Sequence, residues 1–160
     1  MRGYIDIETT GLGWKYSELT VIGIGIERRG RIKVVQLYDS ALGEKGLLAA
    51  LDGVTELYSY NGARFDLPFI RNKLGIDLAK RCKHSDLMYA CHKRKWMGGL
   101  KAVEKQLGIE RKLKDVDGFM AVKLYWDYVN NSDQGALRTL LEYNKEDVVN
   151  LSCLRRQLGM

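Results

Sequence analysis

The chain has little of what would take it out of the ordinary globular class: one proline, three cysteines and two histidines in 160 residues. A single Pro, with no Ser-rich or repeated stretch, excludes collagen-like, low-complexity and linker-jointed architectures. Three cysteines (Cys82, Cys91 and Cys153) are an odd number for a disulfide framework, which points to a reducing, cytoplasmic setting. The longest run of apolar residues plus glycine is Val21 to Ile26, far short of the ~18 residues of a membrane span. The N-terminus has no basic-then-apolar leader, so neither export nor a membrane partner is expected. What is present suffices for one core: with 46% hydrophobic and 29% charged residues, residues 1–160 are expected to form a single domain.

The 26 basic residues exceed the 20 acidic ones, giving a net charge of +6, which attracts a polyanion without requiring one. Placement says more than the sum. Lys80, Arg81, Lys83, His92, Lys93, Arg94 and Lys95 crowd the middle of the chain beside Trp96, and Lys101, Lys105, Arg111, Lys112 and Lys114 follow. That pattern fits a solvated helix face, or a path for a single nucleic-acid strand with Trp96 stacking on a base. In the window Cys82, His84, Cys91 and His92, the spacing matches no familiar zinc finger.

The first third of the chain reads as a strand meander: Gly3–Glu8, Leu19–Glu27 and Arg31–Tyr38, the last two joined across Arg28-Arg29-Gly30. Ser40 is placed to cap a helix over Ala41–Leu51, and Glu56–Tyr60 is short and β-prone, with a further short strand near Lys83–Asp86. The remainder is helical in pattern: Phe65–Leu74, Leu87–Lys95, Leu100–Leu107, Phe119–Val129 and Gly135–Leu158.

Three of these segments carry acids to one rim. Alternation along the first strand puts Tyr4, Asp6 and Glu8 on one face and Ile5 and Ile7 on the other, and Thr9-Thr10-Gly11 ends the strand directly after Glu8. A D-x-E on a half-buried strand is commonly a solvated acidic face. The carboxyl end of a strand, however, is where open sheets place their ligands. In the last helix, Asp147 falls within the stripe formed by Leu137, Leu140, Leu141, Val148, Leu151, Leu154 and Leu158, with Tyr143 one turn back. An ionised carboxylate aimed at a core costs several kcal/mol unless a cation meets it. A lysine or arginine partner and a metal ion both satisfy that condition. Asp66 follows Tyr60-Asn61-Gly62 at the start of a helix, as a helix-dipole partner or as a fourth acid of the same group. Four clustered carboxylates repel one another, and hard divalent cations relieve that repulsion. Asp86 reads first as the cap of the helix beginning at Leu87.

Together the segments Asp6-Ile7-Glu8-Thr9-Thr10-Gly11, Asn61-Gly62-Ala63-Arg64-Phe65-Asp66-Leu67-Pro68-Phe69 and Tyr143-Asn144-Lys145-Glu146-Asp147 resemble the three motifs of the DEDD exonuclease superfamily. The Tyr-x-x-x-Asp form resembles its DEDDy branch. The second motif is similar to the proofreading exonucleases of family B DNA polymerases, and the chain as a whole to stand-alone YprB-type ribonuclease H-like domains. The resemblance implies an α/β ribonuclease H-like fold, with a five-stranded mixed sheet flanked by helices. It implies Asp6, Glu8, Asp66 and Asp147 as ligands of two Mg²⁺ or Mn²⁺ ions and Tyr143 as the group that orients the attacking water. Thr9, Leu12, Asn61 and Phe65 are implied as substrate contacts. The activity implied is 3′-to-5′ hydrolysis of single-stranded DNA or RNA from a free 3′ end, releasing nucleoside 5′-monophosphates. The rival expectation is a ribonuclease H-like module that binds nucleic acid with little or no turnover.

Overall fold

A computed structural model describes residues 1–160. Its sheet is built from β1 (Arg2–Thr9), β2 (Leu19–Arg28), β3 (Arg31–Tyr38), β4 (Glu56–Ser59) and β5 (Lys83–Asp86). The order is β3-β2-β1-β4-β5. Strands β1 to β3 pair antiparallel, whereas β4 and β5 join parallel to β1, which makes the five-stranded mixed sheet expected from the sequence. The helices are α1 (Glu44–Ala50), α2 (Asp66–Leu74), α3 (Leu78–Arg81), α4 (Leu87–Lys93), α5 (Leu100–Leu107), α6 (Gly118–Asn131) and α7 (Gln134–Gln157).

Alternation along β1 decides which helix layer each side chain meets. Ile5 and Ile7 enter a core with Leu47 of α1, Phe69 and Ile70 of α2 and Leu78 of α3. Tyr4 points the other way, into a core with Leu87 and Cys91 of α4, Val103 of α5 and Val148, Leu151 and Leu154 of α7. Asp6 and Glu8 share the Tyr4 face by the same alternation, so the acids of the central strand look toward α7. A third cluster, with Val21, Val116, Ala121, Leu140 and Tyr143, joins α6 and α7 to the sheet.

Two elements differ from expectation. The helix expected over Ala41–Leu51 is a 3₁₀ turn at Asp39–Ala41 followed by α1 from Glu44. The extended backbone of Gly43, with φ −179° and ψ 176°, separates the two, and glycine carries the backbone-entropy cost that makes such a break favourable. The four-residue α3 was not expected. Its single turn is too short to show a period, and the burial of Ile76 and Leu78 holds it.

In the central basic segment Lys80, Arg81, Lys83, Lys93, Arg94 and Lys95 are exposed, as a solvated face requires. Arg94 lies over the Trp96 ring at 5.3 Å and donates to the carbonyls of Gln157 and Leu158, while Trp96 packs against the α4–α7 core. The pair fastens the end of α4 to the end of α7, so Trp96 is half-buried there with Arg94 over its ring. Nor do the Cys82–His92 residues assemble: Cys82 packs on the α1–α3 core and Cys91 in the α4–α7 core, and His84 Nε2 lies 2.8 Å from Ser59 Oγ.

Candidate active site

The acids come together where β1 ends against α7. Carboxylate oxygens of Asp6, Glu8 and Asp147 all lie within 4.8 Å of one another. Oxygens sharing an ion bound at about 2.0–2.6 Å stand at most about 5 Å apart, so this hard, all-oxygen donor set fits one divalent cation of the Mg²⁺ or Mn²⁺ kind. Asp66 stands just outside the group. Its Oδ1 accepts the Ile7 amide at 3.1 Å, which ties the start of α2 to the strand segment between Asp6 and Glu8. Tyr143 is buried one turn before Asp147 on α7, as the helical spacing predicts.

Electrostatics here are unfavourable without a cation. Burial, then the charges of Asp147, Glu8 and Asp66, push Asp6 well above the usual carboxylate range. Burial and Asp147 do the same to Glu8, against the pull of Asn144 and Lys101. Burial lifts Asp66 to about 7 even though its own amide and that of Ile7 donate to it. Asp147 rises to about 6, burial being opposed chiefly by Arg111. For Tyr143, burial and the Asp147 charge push the phenol far above its ordinary value, so its O–H remains protonated throughout the neutral range.

The turn that delivers Asp66 is organised by Asp86. Its Oδ1 accepts the Asn61 amide at 2.8 Å and the Met88 amide at 3.0 Å, and its Oδ2 accepts the Ala63 amide at 3.0 Å. One carboxylate at the end of β5 thus caps α4, as expected, and also shapes the neighbouring β4–α2 turn. Asn61 sits there with φ +60°, a left-handed conformation that Asn tolerates better than most side chains. Phe65 packs against Phe69 with the rings tilted and their centres 5.6 Å apart, and is half-buried in the α2 core. Thr9 donates to the Gly11 carbonyl at 2.7 Å, just past an irregularity in the β1–β2 register. Leu12 is 88% exposed in the following loop, free to meet a ligand.

Four residues not assigned to the site from the sequence complete it, one of them, Arg111, being the arginine partner that the sequence offered Asp147 as the alternative to a metal ion. Asn144 is fully buried and donates to Asp6 Oδ2 at 3.0 Å, while its own Oδ1 accepts from Gln36 at 2.9 Å. Its signal was present in the chain, since Leu137, Asn144, Leu151 and Leu158 follow one another at intervals of seven on the buried stripe. Gly23, paired with Asp6 across the sheet, gives Asn144 its room: a β-carbon there would lie 2.2 Å from Asn144 Oδ1. Lys101 Nζ lies 4.8 Å from the centre of the Tyr143 ring. Arg111 donates to Asp147 Oδ1 from one terminal nitrogen and, from the other, to both oxygens of Glu104 at 2.9 and 2.7 Å. Nothing in the run Glu110-Arg111-Lys112 marks its middle member as the buried one.

A family model described as the RNase_H superfamily matches residues 3–159. The Bacillus subtilis (strain 168) protein YprB, named as uncharacterized, is 30% identical over 175 residues, covering 94% of this chain and 40% of YprB. The chain therefore spans less than half the length of that relative. Among solved structures, the family B DNA polymerase of Pyrobaculum calidifontis matches with TM-score 0.75 at 15% identity, over 98% of this chain and 24% of the polymerase. Brucella melitensis NrnC bound to pGG matches with TM-score 0.65 at 21% identity, over 98% of this chain and 71% of that protein. NrnC with bound Mg²⁺ gives TM-score 0.65 at 20% identity, over 99% of this chain and 71% of NrnC. At these identities the likeness to the solved structures is one of fold.

Proposed function

From its membership of the RNase_H superfamily, we propose that this chain is a metal-dependent 3′-to-5′ exonuclease of the DEDDy type. On this reading it hydrolyses single-stranded DNA or RNA from a free 3′ end and releases nucleoside 5′-monophosphates. The observation that carries the reading is the convergence of Asp6, Glu8 and Asp147 within 4.8 Å, with Tyr143 one turn away on the same helix. A solved neighbour with bound Mg²⁺ and the same protein bound to pGG support a divalent cation and an oligonucleotide as the ligands to try first.

In this proposal Asp6, Glu8, Asp66 and Asp147 hold two Mg²⁺ or Mn²⁺ ions. Such ions, when bound, supply Lewis acidity that stabilises charge on the transferred phosphoryl group and makes water nucleophilic near neutral pH. The protein's own groups do the remaining work. Asn144 fixes the Asp6 carboxylate, and the Ile7 amide fixes Asp66. The protonated Tyr143 phenol orients the attacking water by a donated hydrogen bond. Thr9 and the exposed Leu12 meet the terminal nucleotide, and Asn61 and Phe65 support the strand behind it.

The test is degradation of 5′-labelled single-stranded DNA and RNA with Mg²⁺, Mn²⁺ or EDTA, alongside Asp6→Ala and Asp147→Asn. A metal-dependent ladder is expected, slowed by roughly 10² to 10⁴ in either variant, or about 3–5 kcal/mol. An Asp147→Asn protein with unchanged activity and metal affinity would refute the site assignment. The Arg111 contact to Asp147 favours a second reading, a fold that binds nucleic acid without cutting it. Salt-sensitive binding with no cleavage of either strand would establish that one instead.

A further inference from the structure

Arg111 is built into the site more firmly than a passing ion pair requires. Its side chain is 7% exposed, and so is enclosed with its charge. Glu104, itself only 1% exposed, takes one terminal nitrogen with both oxygens and also accepts from Asn150 at 3.0 Å. The loop on which Arg111 rides is gripped separately, because Glu146 accepts the amides of Lys112 and Leu113. Glu146 Oε2 is in addition 3.7 Å from the Arg111 Nε, a nitrogen with no hydrogen-bond partner. Burial pulls the guanidinium down, but Asp147 and Glu104 outweigh it and the pKa ends above the ordinary value. The result is a permanent positive charge, anchored from α5 and α7, whose remaining terminal nitrogen holds one oxygen of Asp147.

We propose that Arg111 is a resident cation of the carboxylate site: it holds Asp147 in place when no metal ion is bound, and by its charge it weakens the binding of divalent ions. This rests on reading Asp6, Glu8 and Asp147 as cation ligands. A carboxylate has two oxygens, and Arg111 claims Oδ1, which leaves Asp147 only one oxygen to offer an ion unshared. Because the guanidinium is fixed to Glu104, it does not swing away when an ion arrives. The two cations therefore share Asp147 and repel each other. Losing Arg111 frees the Asp147 carboxylate to turn, but its backbone stays fixed within a 24-residue helix among buried leucines. The charge outweighs the positioning. Unit and double charges about 6 Å apart, even with water-like screening, repel enough to change affinity roughly tenfold. Arg111 is thus a positioning and tuning residue rather than one that touches substrate.

The experiment compares wild type, Arg111→Lys and the double variant Arg111→Met with Glu104→Gln, which removes both members of the anchor so that no buried carboxylate is stranded at Glu104. Melting temperature is read in EDTA and in Mn²⁺, and the Mn²⁺ dissociation constant by calorimetry. In EDTA both variants are expected to melt below wild type, since lysine cannot bridge Glu104 and Asp147 at once. Arg111→Lys keeps the charge and should bind Mn²⁺ within about threefold of wild type, whereas the double variant should bind it about tenfold more tightly than Glu104→Gln alone, the reference that shares the lost negative charge. Mn²⁺ binding by the double variant no tighter than by Glu104→Gln alone overturns the proposal and leaves Arg111 as a positioning group alone. If the double variant does not fold, Arg111→Lys decides: an EDTA melting temperature equal to wild type, or Mn²⁺ affinity changed by more than about tenfold, refutes the resident cation. A wild-type protein that neither binds Mn²⁺ nor gains melting temperature from it fails earlier, at the metal-site reading, and removes this inference with it.

Discussion

Substituting Gly23 by alanine tests how closely the sheet and α7 are fitted around Asp6. The new β-carbon would lie 2.2 Å from Asn144 Oδ1 and 2.8 Å from Val148 Cγ2, both on a helix that is buried along this face. Overpacking of such a site costs about 1–3 kcal/mol. If Asn144 moves aside instead, Asp6 and Gln36 lose the partners they have at 3.0 and 2.9 Å, and unmaking buried hydrogen bonds costs about 1–3 kcal/mol more. Where both occur the total is about 2–6 kcal/mol, with weaker Mn²⁺ binding because Asp6 is no longer fixed. Urea unfolding in EDTA should show a lower midpoint at unchanged slope. Gly118→Ala is the matched control. A β-carbon there meets nothing within 4 Å at the start of α6, and the change should be neutral or stabilising by up to about 1 kcal/mol. A Gly23→Ala protein within about 0.5 kcal/mol of wild type, binding Mn²⁺ normally, would refute the claim that Asn144 is held by close contact with β2.

Asp86→Ala removes the acceptor of three backbone amides and should cost about 2–4 kcal/mol in urea unfolding; a loss below about 0.5 kcal/mol would show that the β4–α2 turn shapes itself. Tyr143→Phe keeps the ring beneath Lys101 and should leave stability within about 1 kcal/mol of wild type while slowing cleavage about 10- to 100-fold, less than loss of an acid; an equal loss of stability and rate would mean that the hydroxyl serves packing. In EDTA, Asp66 and Asp147 titrate at about 7 and about 6 in the folded protein against 3.8 as ordinary carboxyls. The folded state then binds more protons than the unfolded one, so metal-free stability should be greatest at or below about pH 4 as far as these groups go, and fall as pH rises toward about 7. Saturating Mg²⁺ should offset that decline, because ions bind the deprotonated acids; melting temperatures that rise with pH in EDTA over that window would contradict it.

How much of this was legible beforehand depends on the length scale of each signal. The period-two alternation in Tyr4-Ile5-Asp6-Ile7-Glu8 and the α7 stripe through Tyr143 and Asp147 are carried within single elements, and the structure places all of these residues as expected. Four of the five strands followed from the same kind of evidence, with the resemblance supplying the five-stranded mixed sheet. A basic partner for Asp147 was offered by the sequence, but its identity as Arg111, like the roles of Lys101 and Gln36, was not legible, because each matters only for what lies across the fold from it, and a charged or amide side chain on a helix, loop or strand looks alike in either role. Trp96 was ambiguous for the same reason. An aromatic beside basic residues fits both a base-stacking face and an arginine-covered seam, and only the contact of Arg94 with the end of α7 selects the second. Asp66 lies between these cases. Its delivery to the rim followed from the strand–turn–helix pattern, but its hydrogen bond from the Ile7 amide joins it to a strand far away in sequence, which no local pattern shows.

The hydrogen bond from Asn144 to Asp6 closes across 138 residues of chain, and both partners are needed before the carboxylates form a group at all. Contacts of such long range are made late, after the local helices and the strand meander have formed. During synthesis, which proceeds from the N-terminus, β1 must therefore wait with two acids exposed until α7 has left the ribosome and laid its buried face over them. A nascent chain stopped short of α7 would display Asp6 and Glu8 without Asp147, Asn144 or Tyr143. Copies stopped before α7 are thus born without the assembled site, and the capacity for whatever chemistry it performs arrives only with that helix.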